Sequence, residues 1–184
     1  MARKRRKRYH PPGTQPGTLA AHAEAGDAPV RITSFRYDAN RCEERTVSPS
    51  EVSSLSLPEG GVLWLDVCGL SDPSVVQAIG DRFRIHSLAL EDVLNVPQRP
   101  KVEWYGDHLL VVLSEIRYPE LPEQMAFLLA DRVVVSFQER PGDAFEPVRE
   151  RLRQGKGRIR SEGADFLLYS LCDSVLDAFF PTLE

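Results

Sequence analysis

The sequence has no run approaching the ~20 consecutive apolar residues that a membrane-spanning helix needs. Its basic start is not followed by the apolar stretch of a secretory signal. On these two absences the segment reads as a soluble piece. Cysteine is scarce: Cys42, Cys68 and Cys172 are odd in number and widely spaced, with no Cys-x-x-Cys pair, which argues for a reducing compartment and against a cysteine-based zinc site. Catalytic signatures are missing as well. There is no Gly-x-Ser-x-Gly, no phosphate-binding glycine loop and no His-Glu-x-x-His. No nucleophile, base and oxyanion donor can be assembled, so an enzyme is not expected. Beyond the first residues there is no basic surface interleaved with aromatics, as nucleic-acid binding requires, and no repeat of solenoid length.

What is present suits one packed domain: 184 residues, 42% apolar and 27% charged. The net charge of -4 conceals two regions of opposite sign. Arg3 to Arg8 are six consecutive basic side chains, and without them 17 basic residues face 27 acids, a formal charge of about -10. Such a body attracts cations and repels phosphate. Residues 1–29 join the basic run to Pro-Pro-Gly-Thr, Pro-Gly-Thr and an Ala/Gly-rich stretch. That composition buries too little apolar area to offset ordering entropy, so it is expected to form a disordered tail, able to touch anionic headgroups or nucleic acid. The folded domain is expected over 30–184.

Within that domain, Val30 to Tyr37 alternates apolar and polar residues, the period of a half-buried strand. Ser50 to Leu57 fits a short helix ahead of the turn Pro58-Glu59-Gly60-Gly61. Val62 to Val67 is a nearly continuous apolar run, as in a strand covered on both faces. Asp72 followed by Pro73 starts a helix carrying Val76, Ile79 and Phe83. Ser87 is placed to cap a second helix, with Leu88, Leu90, Glu91, Asp92 and Leu94, that ends before Pro97. Two hairpins follow: Lys101–Tyr105 with His108–Ile116, and Gln124–Ala130 with Val133–Gln138. Asp143 and Glu146 have capping-box spacing for a helix through Arg153, ended by Gly155 or Gly157. From Gly163 onward, Leu167, Leu168, Leu171, Val175 and Phe179 mark a largely buried helix. The sum is an α/β sandwich with a mixed sheet.

On the last helix Asp165, Tyr169, Asp173 and Asp177 recur every four residues and share one stripe. Like charges at this spacing repel, and something should offset them. The offset is either Arg158 and Arg160, with water, or a divalent cation with oxygen ligands suited to Mg²⁺ or Ca²⁺. Glu91 and Asp92 are adjacent, so they point roughly 100° apart and can face two partners. The plain alternative is a solvated surface with Glu91 paired to Lys101. His86 is expected to pack beside Phe83 and Ile85 rather than bind metal.

Several ordered blocks then resemble one family. Trp64-Leu65-Asp66-Val67 to Gly69-Leu70, Phe83 to Asn95 and Gln98 to Glu103 are similar to the CorA magnesium and cobalt transporters. So are Phe137-Gln138-Glu139, Phe145 to Arg151 and Ala164 to Tyr169. The resemblance covers about residue 60 to the end. It implies an α/β/α sandwich on the cytoplasmic face of the cell membrane, leading into a long stalk helix and two membrane spans per subunit of a homopentamer. On this likeness the segment stops before the stalk and spans, whose pore mouth carries Gly-Met-Asn. It also implies that Mg²⁺, with Co²⁺ able to substitute, is held between acids of this domain and stalk acids of a neighbouring subunit, favouring the closed channel. Asp92 resembles the principal sensing aspartate, Glu91 and Asp173 resemble acids of a second site, and Asp177 is a weaker addition. Pro97 departs from the family, standing where some relatives carry a histidine. A zinc-transporting branch of the superfamily is the near alternative. A nucleic-acid-binding protein acting through Arg3 to Arg8 is the distant one, and no nucleic acid partner is expected.

Overall fold

The computed structural model describes residues 13–20, 29–116, 122–142 and 144–179. The basic run, Asp143 of the expected capping box and the segment from Phe180 onward lie outside the described residues. Seven strands form one mixed sheet: β1 (Arg31–Tyr37), β2 (Cys42–Val47), β3 (Val62–Cys68), β4 (Lys101–Tyr105), β5 (His108–Glu115), β6 (Glu123–Ala130) and β7 (Val133–Gln138). Their spatial order is β2-β1-β3-β7-β6-β5-β4. The sheet is antiparallel except where β3 runs parallel to β7. All seven residues of β3 are buried, as its apolar run requires of a central strand covered on both faces.

Helices α1 (Pro73–Phe83) and α2 (Ser87–Leu94) cover one face, and α3 (Glu146–Gln154) and α4 (Ala164–Asp177) cover the other. The first core joins Ile32, Leu65 and Val67 to Ile79, Leu90 and Leu128. The second joins Phe35, Trp64 and Phe127 to Phe145, Leu167 and Leu171. Trp64 stacks on Phe35 at 4.7 Å between ring centroids and meets Phe145 edge-on at 6.1 Å. Each such fully buried side chain contributes about 1.5–3 kcal/mol. The architecture is the expected α/β/α sandwich.

Local starts and stops follow the chemistry of the chain, with three departures from expectation. The first is α3, whose N-cap is Phe145 with Glu146 at the first helical position and not at the third that a capping box from Asp143 requires. Asp72 caps α1 by accepting the Ser74 amide at 2.9 Å, with Pro73 at the first helical position. The helix closes on Arg84 in the left-handed region, at φ 57°. The N-cap of α2 is His86, not Ser87: its Nδ1 accepts the Leu88 amide at 3.2 Å, because His86 still has extended backbone and Ser87 is already helical. Its ring also stacks on Tyr105 of β4, at 5.7 Å between ring centroids. The third departure is β2, which the periodicity did not announce. The short helix before the Pro58 turn is a 3₁₀ segment, Pro49–Ser54, and Gly155, at φ 63°, ends α3.

Part of the expected tail carries contacts. The Gly17 amide donates to the Glu91 carboxylate at 2.6 Å, and Leu19 packs against the α1/α2 core. Gly17 has φ +82°, and a Cβ there would stand 2.7 Å from Ser87 Oγ, so only glycine fits this crossing.

Candidate metal site

The candidate carboxylates fall into two sets on opposite faces of the sheet. Glu91 and Asp92 project from α2, packed in the core with β3 and β6; Asp173 and Asp177 belong to α4, packed in the core across the sheet. Among the described residues, no three His, Cys, Asp or Glu side chains converge as a metal would require. One copy of the chain therefore does not unite Glu91 with Asp173.

Around α2 the two adjacent acids face different partners, as their helical offset demands. Glu91 accepts the Gly17 amide. Asp92 Oδ2 accepts from Lys101 Nζ at 2.7 Å and from the Tyr105 hydroxyl at 2.6 Å. Lys101 thus pairs with Asp92 rather than Glu91, because Lys101, Glu103 and Tyr105 alternate along β4 and share the face that α2 covers. Glu103, which sequence reasoning passed over, joins the group: its Oε2 lies 2.8 Å from Lys101 Nζ and 2.9 Å from the Tyr105 hydroxyl. The result is two carboxylates bridged by an ammonium and a phenol. Asp92 and Lys101 are partly buried, with side chains 17% and 24% exposed, so their pairing is less screened than a surface contact.

The electrostatics agree with this geometry. Burial works against the Lys101 ammonium, but hydrogen bonds to Asp92 and Glu103 outweigh it and raise its pKa above the usual lysine value. Lys101, then Tyr105, hold the Glu103 carboxyl below the ordinary range. Burial, followed by hydrogen bonding to Asp92 and Glu103, pushes the Tyr105 phenol up. The turn into β4 is also anchored, since Gln98 Nε2 donates to the Asp92 carbonyl at 2.6 Å and the Gln98 amide donates to Gln124 Oε1 at 2.7 Å.

On α4 the stripe is present but open. Asp165, Tyr169 and Asp177 are exposed and Asp173 is half-buried. The two arginines considered as counter-charges are engaged elsewhere: Arg158 pairs with Glu162 at 2.6 Å, and Arg160 donates to the Leu152 and Arg153 carbonyls. Hard carboxylate oxygens suit Mg²⁺, and both sets supply them, with neither completing a shell among the described residues.

Two further acidic groups are structural. Asp66, buried in β3, accepts from Ser136 Oγ at 2.9 Å, from Gln138 Nε2 at 2.8 Å and from Arg149 Nη2 at 2.6 Å. Trp64 Nε1 donates to the same Ser136 hydroxyl at 2.9 Å. Asp66, Gln138 and Arg149 line a polar cavity of about 250 Å³, together with Glu146 and Arg153. At the far end of β5 and β6, Glu115 stands opposite Glu123, and burial raises the Glu123 pKa while the Arg140 amide at 2.8 Å partly opposes it.

The fold is shared with the full-length CmaX protein (TM-score 0.64, 24% identity, covering 84% of this chain and 47% of that one). It is shared too with the soluble domain of CorA from Methanocaldococcus jannaschii (TM-score 0.58, 13% identity, 83% and 58%). The ZntB cytoplasmic domain from Vibrio parahaemolyticus is similar again (TM-score 0.59, 13% identity, 85% and 62%). In sequence, the cobalt/magnesium transport protein CorA of Thermotoga maritima is 39% identical over 181 residues, covering 94% of this chain. Magnesium transporter ALR2 of Saccharomyces cerevisiae is 27% identical over 168 residues. The chain spans 50% of the Thermotoga protein's length and 19% of the yeast one's. The family model described as CorA-like Mg2+ transporter protein matches residues 59–184. With that match over most of its length, the chain belongs to the CorA-like Mg²⁺ transporter family.

Proposed function

We propose that this chain is the Mg²⁺-sensing regulatory domain, on the cytoplasmic side, of a homopentameric Mg²⁺/Co²⁺ channel. Its acids Asp92, Glu91, Asp173 and Asp177 meet stalk acids of a neighbouring subunit with a divalent cation between them. The supporting observation is the split of these hard carboxylate ligands over two faces of one sheet, with no three such side chains converging among the described residues. Carboxylates from separate subunits repel until a small hard cation neutralises them. A cation bound more tightly at the closed interface than at the open one shifts the population toward closed by that difference in affinity. Rising internal Mg²⁺ then shuts its own entry path. Membership of a transporter family and the name of the 39% identical Thermotoga relative support the choice of ions.

The test is Asp92→Lys in the intact protein, membrane spans included. Mg²⁺ should protect the unmodified protein from limited proteolysis and should fail to protect the variant. Equal protection of both would remove Asp92 from the sensing role.

A further inference from the structure

Lys101 Nζ sits between two carboxylates, 2.7 Å from Asp92 and 2.8 Å from Glu103, in a place where a cation is already welcome. The Tyr105 hydroxyl lies within hydrogen-bond distance of the same two oxygens but has one proton to give. It can satisfy only one of them at a time. The ammonium has three protons and serves both. Lys101 is therefore the group that lets Asp92 and Glu103 stand close together without mutual repulsion. Position reinforces chemistry: Lys101 and Glu103 share one face of β4, and Gln98 pins the Asp92 carbonyl to the connection between α2 and that strand. The ammonium is thus held at the carboxylate by the fold rather than by chance encounter.

We propose that Lys101 is a tethered competitor for the divalent cation at Asp92, and that its displacement sets the cation concentration at which that carboxylate is occupied. The inference rests on reading Asp92 as a cation ligand. A free ion reaching Asp92 Oδ2 must replace an ammonium whose local concentration is fixed by a short, anchored stretch of chain. Apparent affinity falls by the fraction of time the carboxylate is open. Glu103 acts with Lys101 in two opposed ways, steadying the competitor while it is in place and offering a second oxygen ligand once it leaves.

The experiment uses the 184-residue chain with Mn²⁺ as a paramagnetic probe and Mg²⁺ as its diamagnetic counterpart. Lys101→Met keeps an unbranched stem of nearly the same length and removes the charge. It should tighten Mn²⁺ binding about tenfold, the ratio that corresponds to one displaced interaction of ordinary strength, with broadening centred on residues 92, 103 and 105. Adding Asp92→Asn to that variant should abolish the gain, and Lys101→Arg should retain weak binding. An unchanged affinity in Lys101→Met, or a gain that survives Asp92→Asn, overturns the proposal. A second measurement needs no variant: in the unmodified chain titrated with Mg²⁺, the Lys101 ammonium and Asp92 carboxyl signals should move together. Movement of Asp92 alone also overturns it. Neither outcome depends on channel regulation, so loss of the sensing role in the intact protein remains a separate result.

Discussion

Asp66 lies in a strand with every residue buried, a placement that would cost several kcal/mol for an unpaired carboxylate. It is held there by three donors, one of them the Arg149 guanidinium, itself only 13% exposed and lying 5.9 Å over the Trp64 ring. Removing one partner strands the other in a low-dielectric setting. Asp66→Ala is therefore expected to destabilise the chain by about 3–5 kcal/mol, measured by urea unfolding. A loss under about 1 kcal/mol, the size of an exposed pair, would show that water reaches the network. Arg84 offers the opposite case: its φ of 57° costs a side-chain-bearing residue energy that glycine avoids. Arg84→Gly should raise stability by up to about 1 kcal/mol, read as a higher melting temperature, while a drop would mean that the arginine side chain makes a compensating contact.

At the level of elements, the 3₁₀ segment Pro49–Ser54 carries a pH-dependent cap. The Glu51 carboxylate accepts from the Ser48 hydroxyl and amide and from Arg45, and these bonds bring its pKa from the usual 4.5 to about 2. Because the folded value lies below the ordinary one, the stabilisation is complete above pH 4.5 and disappears as pH falls toward 2. The Glu51 carboxyl carbon signal should accordingly titrate near pH 2; a midpoint near 4.5 would show that the cap does not form in solution. How far the elements are legible in the sequence depends on what each one buries. β3 can be read because both of its faces are apolar but for Asp66, and α1 because Asp72-Pro73 is a start signal independent of tertiary context. β2 cannot: Cys-Glu-Glu-Arg-Thr-Val lies at the sheet edge, largely exposed, and its strand state comes from pairing with β1. The same limit applies to the site. Asp92 is legible through its family block, whereas Glu103 and Tyr105 join it only because β4 turns one of its two faces toward α2, and no local pattern says which.

For the whole molecule, the decisive geometry is that α2 and α4 sit on opposite sides of one sheet. A single copy then has little to gain from Mg²⁺. Even at a concentration equal to its Kd, a ligand adds only about 0.4 kcal/mol. Millimolar Mg²⁺ should move the melting temperature of the 184-residue chain by no more than a matched change in ionic strength does. A rise of several degrees beyond that control would reveal a complete site within one chain. The parallel pairing of β3 with β7 carries a different implication, for synthesis. Trp64 and its partner Ser136 are 72 residues apart in the chain, so at about 5–20 residues per second roughly 4 to 14 s pass between emergence of the one and of the other. During that interval β1 can already pair with β2 on one side and β3 on the other, while the far edge of β3, buried in the finished sheet, has nothing to pair with. The ribosome therefore presents an unfinished, adhesive sheet margin to the cell, and its protection until β7 arrives falls to chaperones or to the speed of translation itself.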